Sequence, residues 1–136
     1  MKYLGIDYGT KRVGLATAED GGMAFPLRVI PHRPTLVLDV ADICIKEKIG
    51  TIVMGNSLNN KNEPNLLMKK ITPFAEELKS VTGLPIAFMN EAFSSREAMH
   101  LQGDNSENDA SAAAIVLQSY LDKVHPKQHE EFSDED

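Results

Sequence analysis

The chain has 136 residues, of which 42% are hydrophobic and 25% are charged. That length supports one globular domain with its own core, and the single cysteine excludes an internal disulfide. The sequence contains no apolar stretch of the about 20 residues that a membrane helix needs, and its N-terminal residues do not have the pattern of a signal peptide. We therefore expect a cytoplasmic protein with no membrane partner.

The formal net charge of −6 is concentrated near the C-terminus. Residues 130–136 include five acidic and no basic residues, which leaves 14 basic and 15 acidic residues in 1–129. We therefore predict one domain over residues 1–125 and an acidic, disordered tail over 126–136. A nearly neutral domain neither requires nor excludes a nucleic-acid partner.

Three strands are predicted in the N-terminal part of the chain. Residues 3–8 and 12–17 are apolar runs joined by the short turn 9–11, a pattern typical of an antiparallel hairpin. A third strand is expected over 23–30, and Pro26 favours an edge position because proline has no N–H for a neighbouring strand. These strands predict the antiparallel part of a sheet.

Helices and short buried strands alternate in the rest of the chain. Apolar residues over 51–55 and 86–89 predict two parallel strands, Gly50 is expected to end the helix before the first of them, and Pro73 to kink or restart the next helix. We predict an α/β fold, a five-stranded mixed sheet with helices packed on it. The predicted helices are 34–49, 64–82, a short one beginning at Ser94, and 107–124.

Two acidic residues are expected at one edge of this sheet. Asp7 lies in an otherwise apolar strand, where a carboxylate is costly to bury unless it is hydrogen-bonded or bound to a metal. Glu91 follows the strand 86–89, and parallel strands would bring it to the same edge as Asp7. The structural alternatives are hydrogen bonding of Asp7 to the 9–11 turn and an exposed loop position for Glu91.

A third acid, Asp109, lies in the first turn of the last predicted helix. The spacing from Ser106 fits a capping box, which is a structural explanation for Asp109. Helical spacing to Ala113 also places Asp109 on or beside the face that packs on the sheet. Three convergent carboxylates suit magnesium or manganese better than zinc, and two such ions can promote hydrolysis of a phosphodiester.

The opening of the chain closely resembles the YqgF family, whose members are described as Holliday junction resolvases or pre-16S rRNA nucleases. The resemblance extends from about residue 3 to 122 and depends on an ordered set of motifs. The similar stretches are Leu4-Gly5-Ile6-Asp7-Tyr8-Gly9-Thr10-Lys11-Arg12-Val13-Gly14-Leu15-Ala16, Ala24 to Leu27, Gly55 to Asn59, Phe74 to Leu78, Gly83-Leu84-Pro85 and Asp109 to Leu121.

This resemblance implies an RNase H-like fold and a metal-dependent nuclease that acts on precursor ribosomal RNA during ribosome biogenesis. Asp7, Glu91 and Asp109 match the family's catalytic positions, where they would bind one or two Mg²⁺ or Mn²⁺ ions. Further residues would contact the phosphates of the substrate, although a solvated hairpin tip explains the first two equally well. These substrate-binding candidates are Lys11, Arg12, Ser95 and Arg96.

Several departures from the family pattern leave other functions open. Asn90 and Ala92 replace an acid and a base beside Glu91, and residues 102–108 are acidic where the family is often basic. One alternative is a resolvase acting on branched DNA, and another is a catalytically weakened nucleic-acid-binding module. The Asp7-x-Gly9 pattern also resembles a phosphate motif of actin-like kinases, but those proteins need two such domains. The sequence does not predict the oligomeric state.

Overall fold

The computed structural model of the protein describes residues 1–56, 68–90 and 106–124. Its strands form one five-stranded mixed sheet in the order β3-β2-β1-β4-β5. The β3-β2-β1 part is antiparallel, whereas β1, β4 and β5 are parallel neighbours. The predicted mixed sheet, with the first strand at its centre, is therefore confirmed. The elements are β1 (Lys2–Asp7), β2 (Arg12–Glu19), β3 (Phe25–Pro31), α1 (Leu36–Glu47), β4 (Thr51–Asn56), α2 (Met68–Thr82), β5 (Ile86–Asn90) and α3 (Ser106–Val124).

Helices cover both faces of the sheet. Successive side chains of a strand point to opposite faces, so Leu4 and Ile6 of β1 are buried in the core formed with α1 and α2. Tyr3 belongs to a second apolar cluster, which the sheet forms with α3. In the described residues, no helix has both the length and the apolar character needed to cross a membrane.

The third strand lies at one edge of the sheet, as Pro26 predicted. In contrast, the end of α1 differs from the prediction, because the helix stops at Glu47 and Lys48 adopts the left-handed conformation with φ of 57°. This cap lets the N–H of Ile49 donate to the carbonyl of Cys44 at 2.9 Å, and Ile49 returns to the core. Gly50 is already outside the helix, where its N–H donates to the carbonyl of Lys2.

Helix α2 continues through Pro73. It extends from Met68 to Thr82 with this proline inside it, so of the two expected outcomes, a kink or a restart, the restart is wrong. Proline removes one backbone N–H from the helix, while Phe74 and Leu78 bury the same helix against the sheet. Packing of the apolar face therefore outweighs one missing hydrogen bond. The short helix predicted at Ser94 lies outside the described residues.

Candidate active site

The parallel strands β1, β4 and β5 end at one edge of the sheet, called here the carboxyl edge and defined by Asp7, Asn56 and Asn90. Ile6 is the register partner of Met54, and Asn56 is the partner of Asn90. Asp7 therefore ends its strand at the edge where β5 also ends, as the sequence predicted. Open α/β sheets place their ligand sites at this kind of edge.

Asp7 is buried, with 9% of its surface exposed. It is the one charged side chain that is buried among the residues whose side chains the structure describes. Its partner in the antiparallel register is Gly14, which has no side chain. A carboxylate in this position must be compensated by hydrogen bonds, opposite charge or a cation, because desolvation disfavours the charged form.

Helix α3 packs very closely on β1 beside Asp7. A Cβ atom added to Gly5 would lie 2.7 Å from the Leu117 Cβ and 3.0 Å from the Ala113 carbonyl oxygen. At the start of β1, the ring centroids of Tyr3 and Tyr120 are 6.3 Å apart. The helix therefore runs antiparallel to β1 across this face, and residues earlier in α3 approach the carboxyl edge.

The packing of α3 on β1 also determines where position 109 lies relative to Asp7. Leu117, Ala113 and position 109 form one row of a helix, four residues apart, and four residues rise about 6 Å. From Gly5 to Asp7 the strand advances two residues, or about 6.6 Å, so Asp7 and Gly5 lie on the same face of the sheet. Position 109 is thus in register with Asp7 along the two elements. Asp109 lies in the first part of α3.

The structure describes only some of the other residues that were predicted to bind metal or substrate. Glu91 directly follows Asn90, the last residue of β5, and lies outside the described residues together with Ser95 and Arg96. The described side chains contain no group of three or more His, Cys, Asp or Glu residues that could hold a metal. That finding includes neither Glu91 nor the side chain of Asp109, so the acidic cluster as a whole stays a prediction.

The turn between β1 and β2 brings the other two candidates to the carboxyl edge. Lys11 is exposed and Arg12 is half-buried at the start of β2. A Cβ atom on Gly9 would collide with the Arg12 carbonyl oxygen, so only glycine fits this tight turn. The geometry therefore places Lys11 in the compact turn after β1 and Arg12 at the start of β2, while their contact with a substrate stays a prediction.

Two residues that the sequence reasoning did not select also meet at this edge. The Tyr8 hydroxyl oxygen and His32 Nε2 are 2.8 Å apart, within hydrogen-bond distance. The Tyr8 ring packs edge-on against the His32 ring and tilted against Phe74, with centroids 5.2 and 5.1 Å away. Burial raises the pKa of the Tyr8 phenol above its usual value, so the hydroxyl stays protonated at neutral pH.

The sequence contained a signal for the close packing of α3 on Gly5, which was missed, but none for the contact between Tyr8 and His32. A glycine between Leu4 and Ile6 in a buried strand indicates a close approach of another element, and the alanines of α3 indicate the element that approaches. His32 has no such signal, because it is an isolated residue after β3. Its proximity to Tyr8 arises only when β3 and β1 are brought together by the sheet.

Comparison with known proteins identifies the family. Residues 1–123 match the model of the family described as RuvX, Holliday junction resolvase. The chain belongs to this family. A relative from Anaeromyxobacter sp. (strain Fw109-5), provisionally named a pre-16S rRNA nuclease, is 39% identical, with 92% of this chain and 99% of that protein covered. A relative from Nitratidesulfovibrio vulgaris (strain DSM 19637 / Miyazaki F) with the same provisional name is also 39% identical, with coverage of 89% and 93%.

Solved structures confirm the RNase H-like fold. RuvC from T. thermophilus, in complex with a Holliday junction substrate, superimposes with a TM-score of 0.61 at 16% identity, covering 91% of this chain and 96% of that one. The Holliday junction resolvase of fowlpox virus gives a TM-score of 0.59 at 13% identity, with coverage of 90% and 99%. The family resemblance and the nuclease class expected from the sequence are therefore confirmed for this RuvX-family chain.

Proposed function

We propose that this RuvX-family protein is a metal-dependent nuclease that hydrolyses phosphodiester bonds of precursor 16S ribosomal RNA during ribosome biogenesis. The observation that carries the proposal is the buried carboxylate of Asp7 at the carboxyl edge, beneath the α3 row that includes position 109. A buried acid at the edge where α/β sheets bind ligands supports a chemical role for Asp7.

Asp7, Glu91 and Asp109 are proposed as the catalytic, metal-binding residues. Asp7 fits this role because it is a hard oxygen donor held by the central strand, and hard oxygen donors are the ligands that Mg²⁺ and Mn²⁺ prefer. Glu91 follows β5, which ends at the same edge, and Asp109 is in register with Asp7. Bound there, one or two of these ions would supply activation of a water and stabilisation of the leaving oxygen.

The protein's own side chains would orient the substrate beside these acids. Lys11 and Arg12 extend from the turn that follows Asp7, where they offset the repulsion between the acidic site and the phosphates. Ser95 and Arg96 are proposed as further phosphate contacts. Residues 1–125 would form the nuclease domain and 126–136 an acidic tail, in a cytoplasmic protein.

A resolvase acting on branched DNA is the second candidate function. The family is described as Holliday junction resolvase, and the superimposed RuvC structure has such a junction bound. The chemistry at Asp7 would be the same for both substrates, because each offers a phosphodiester. The pre-16S proposal follows the names of the two relatives from Anaeromyxobacter and Nitratidesulfovibrio.

The proposal is tested by a cleavage panel with the full-length protein. The substrates are a labelled RNA that spans the 5′ end of precursor 16S rRNA, a four-way DNA junction and a linear DNA duplex, each with Mg²⁺, Mn²⁺ or EDTA. We expect the RNA to be cut fastest, only when a divalent ion is present. Faster cutting of the junction than of the RNA would favour the resolvase function. Tight binding without cutting of either substrate would show a weakened binding module instead.

A further inference from the structure

His32 contacts both ends of the turn that connects β1 and β2. Its backbone N–H donates to the carbonyl of Lys11 at 3.0 Å, and its side chain lies 2.8 Å from the hydroxyl of Tyr8. In the β2–β3 register, Arg12 is opposite Pro31, the residue before His32. His32, which directly follows β3, thus joins Tyr8, the residue before the turn, to Lys11, the last residue of the turn.

Tyr8 fixes this arrangement to the body of the protein. Its ring lies against Phe74 of α2 at a centroid distance of 5.1 Å, and both rings belong to the core under α1 and α2. The side chain is 7% exposed, so its position is set by packing. The hydrogen bond between Tyr8 and His32 therefore restrains His32, and the backbone N–H of His32 in turn holds the carbonyl of Lys11.

Core packing alone does not need the hydroxyl of Tyr8. Phenylalanine would fill nearly the same space and would keep both ring contacts, with no buried polar group to satisfy. What the hydroxyl adds is a link between a rigid core residue and the chain beside the turn. The turn carries Lys11 and leads into Arg12 at the start of β2, and both are proposed above as contacts to the substrate phosphates.

We propose that Tyr8 and His32 are positioning residues, which hold the 9–11 turn so that Lys11 and Arg12 meet the phosphates of the nucleic-acid substrate. The proposal depends on the nuclease function proposed above. It adds a determinant of substrate affinity that does not touch the reacting atoms. A loosened turn must be ordered again on binding, and that cost lowers affinity while the reaction of bound substrate is unchanged.

The test compares Tyr8→Phe with Tyr3→Phe. Tyr3→Phe is the matched control, because it removes a hydroxyl that donates to Asp20 Oδ1 at 3.4 Å, at the opposite edge of the sheet. Affinity is measured in EDTA with the labelled precursor 16S RNA and the four-way DNA junction, and KM and kcat are measured with Mn²⁺. Tyr8→Phe should weaken affinity and raise KM by about threefold to tenfold, the value of one hydrogen bond. Its kcat should stay within about twofold of wild type.

A second pair of measurements separates positioning from a purely structural effect. His32→Phe should weaken affinity as much as Tyr8→Phe does, and combining the two should add nothing, because both remove the same bond. In a Lys11→Gln/Arg12→Gln background, Tyr8→Phe should no longer change affinity. An undiminished effect in that background would overturn the proposal, as would wild-type affinity of Tyr8→Phe. If Tyr8→Phe does not fold, the same comparisons with His32→Phe decide.

The outcomes also distinguish this inference from the proposed function. If wild-type protein cuts neither substrate under any metal condition, the nuclease proposal fails. If wild-type protein cuts and Tyr8→Phe has unchanged KM, only the positioning proposal fails.

Discussion

Replacing Gly5 with alanine tests how closely α3 must pack on β1 beside the candidate site. The new Cβ would lie 2.7 Å from the Leu117 Cβ and 3.0 Å from the Ala113 carbonyl oxygen, whereas carbon atoms in contact are normally about 3.5–4.0 Å apart. The helix must therefore retreat by about 1 Å. Overpacking of this kind costs about 1–3 kcal/mol, which lowers the Tm of a domain of this size by about 3–5 °C per kcal/mol.

The same displacement should reduce activity beyond the loss of stability. Position 109 lies one turn before Ala113 in the helix that must move, so the spacing between Asp7 and Asp109 would change by a similar distance. A misplacement of about 1 Å can cost about 100-fold in rate. We therefore expect Gly5→Ala to be folded at 25 °C and to cut the substrate at least about tenfold more slowly than wild type.

Gly50→Ala is the matched control for this measurement. The three atoms nearest to its added Cβ all belong to the flexible Met1 side chain, the nearest 2.9 Å away, so this neighbour can move at little cost. Both substitutions have the same effect on the unfolded chain. Thermal unfolding and cleavage rates are compared well below the lower Tm. If Gly5→Ala has the same Tm and cleavage rate as Gly50→Ala, then close packing of α3 does not position the site.

Three further predictions follow from other parts of the chain. Burial raises the pKa of the Cys44 thiol to about 11, so a thiol reagent at pH 8 should modify Cys44 only at the rate of unfolding; immediate labelling would contradict this. Lys48 has a φ of 57°, so Lys48→Gly should raise Tm by a few degrees, whereas Lys46→Gly inside α1 should lower it. Deleting residues 130–136, which include five acids, should tighten RNA binding at low salt and less so at high salt; equal effects at both would refute this electrostatic role.

The sequence was sufficient to predict the sheet because its strands carry strong local signals. The short turn at Gly9 indicated the antiparallel hairpin, and the apolar runs before Asn56 and Asn90 indicated parallel strands. Pro26 correctly indicated an edge strand. These features depend on residues that are neighbours in the chain, so periodicity and turn chemistry describe them well.

The helix ends and the contacts at the site were harder to predict. A left-handed cap at Lys48 replaced the expected stop at Gly50, because the return of Ile49 to the core fixes where α1 ends. Pro73 was accommodated in α2 for a similar reason, since tertiary packing outweighs local preference. The pairing of Tyr8 with His32 joins residues that are 24 positions apart, and no pattern in a single sequence predicts it.

The sequence predicted the positions of Asp7 and Asp109 in the fold, but not whether these acids bind a metal together. The burial of Asp7 and its position at the end of the central strand agree with the prediction, and α3 begins near Asp109 as expected. That agreement arises because a carboxylate in an apolar strand is a strong local anomaly. The shared binding of a metal by Asp7, Glu91 and Asp109 stays a prediction, because it depends on three side chains from distant parts of the chain.

Metal-dependent stability of an Asp7 variant tests the central claim most directly. Tm is measured against Mn²⁺ concentration for wild type, Asp7→Asn and Asp42→Asn, the last a control in which an exposed acid paired with Lys46 is neutralised. Mn²⁺ at about 100 times its Kd should stabilise wild type and Asp42→Asn against unfolding by about 2.7 kcal/mol. Both proteins should also cut RNA. Asp7→Asn should fold but show neither effect. An unchanged Mn²⁺ shift together with normal cleavage in Asp7→Asn would contradict the account.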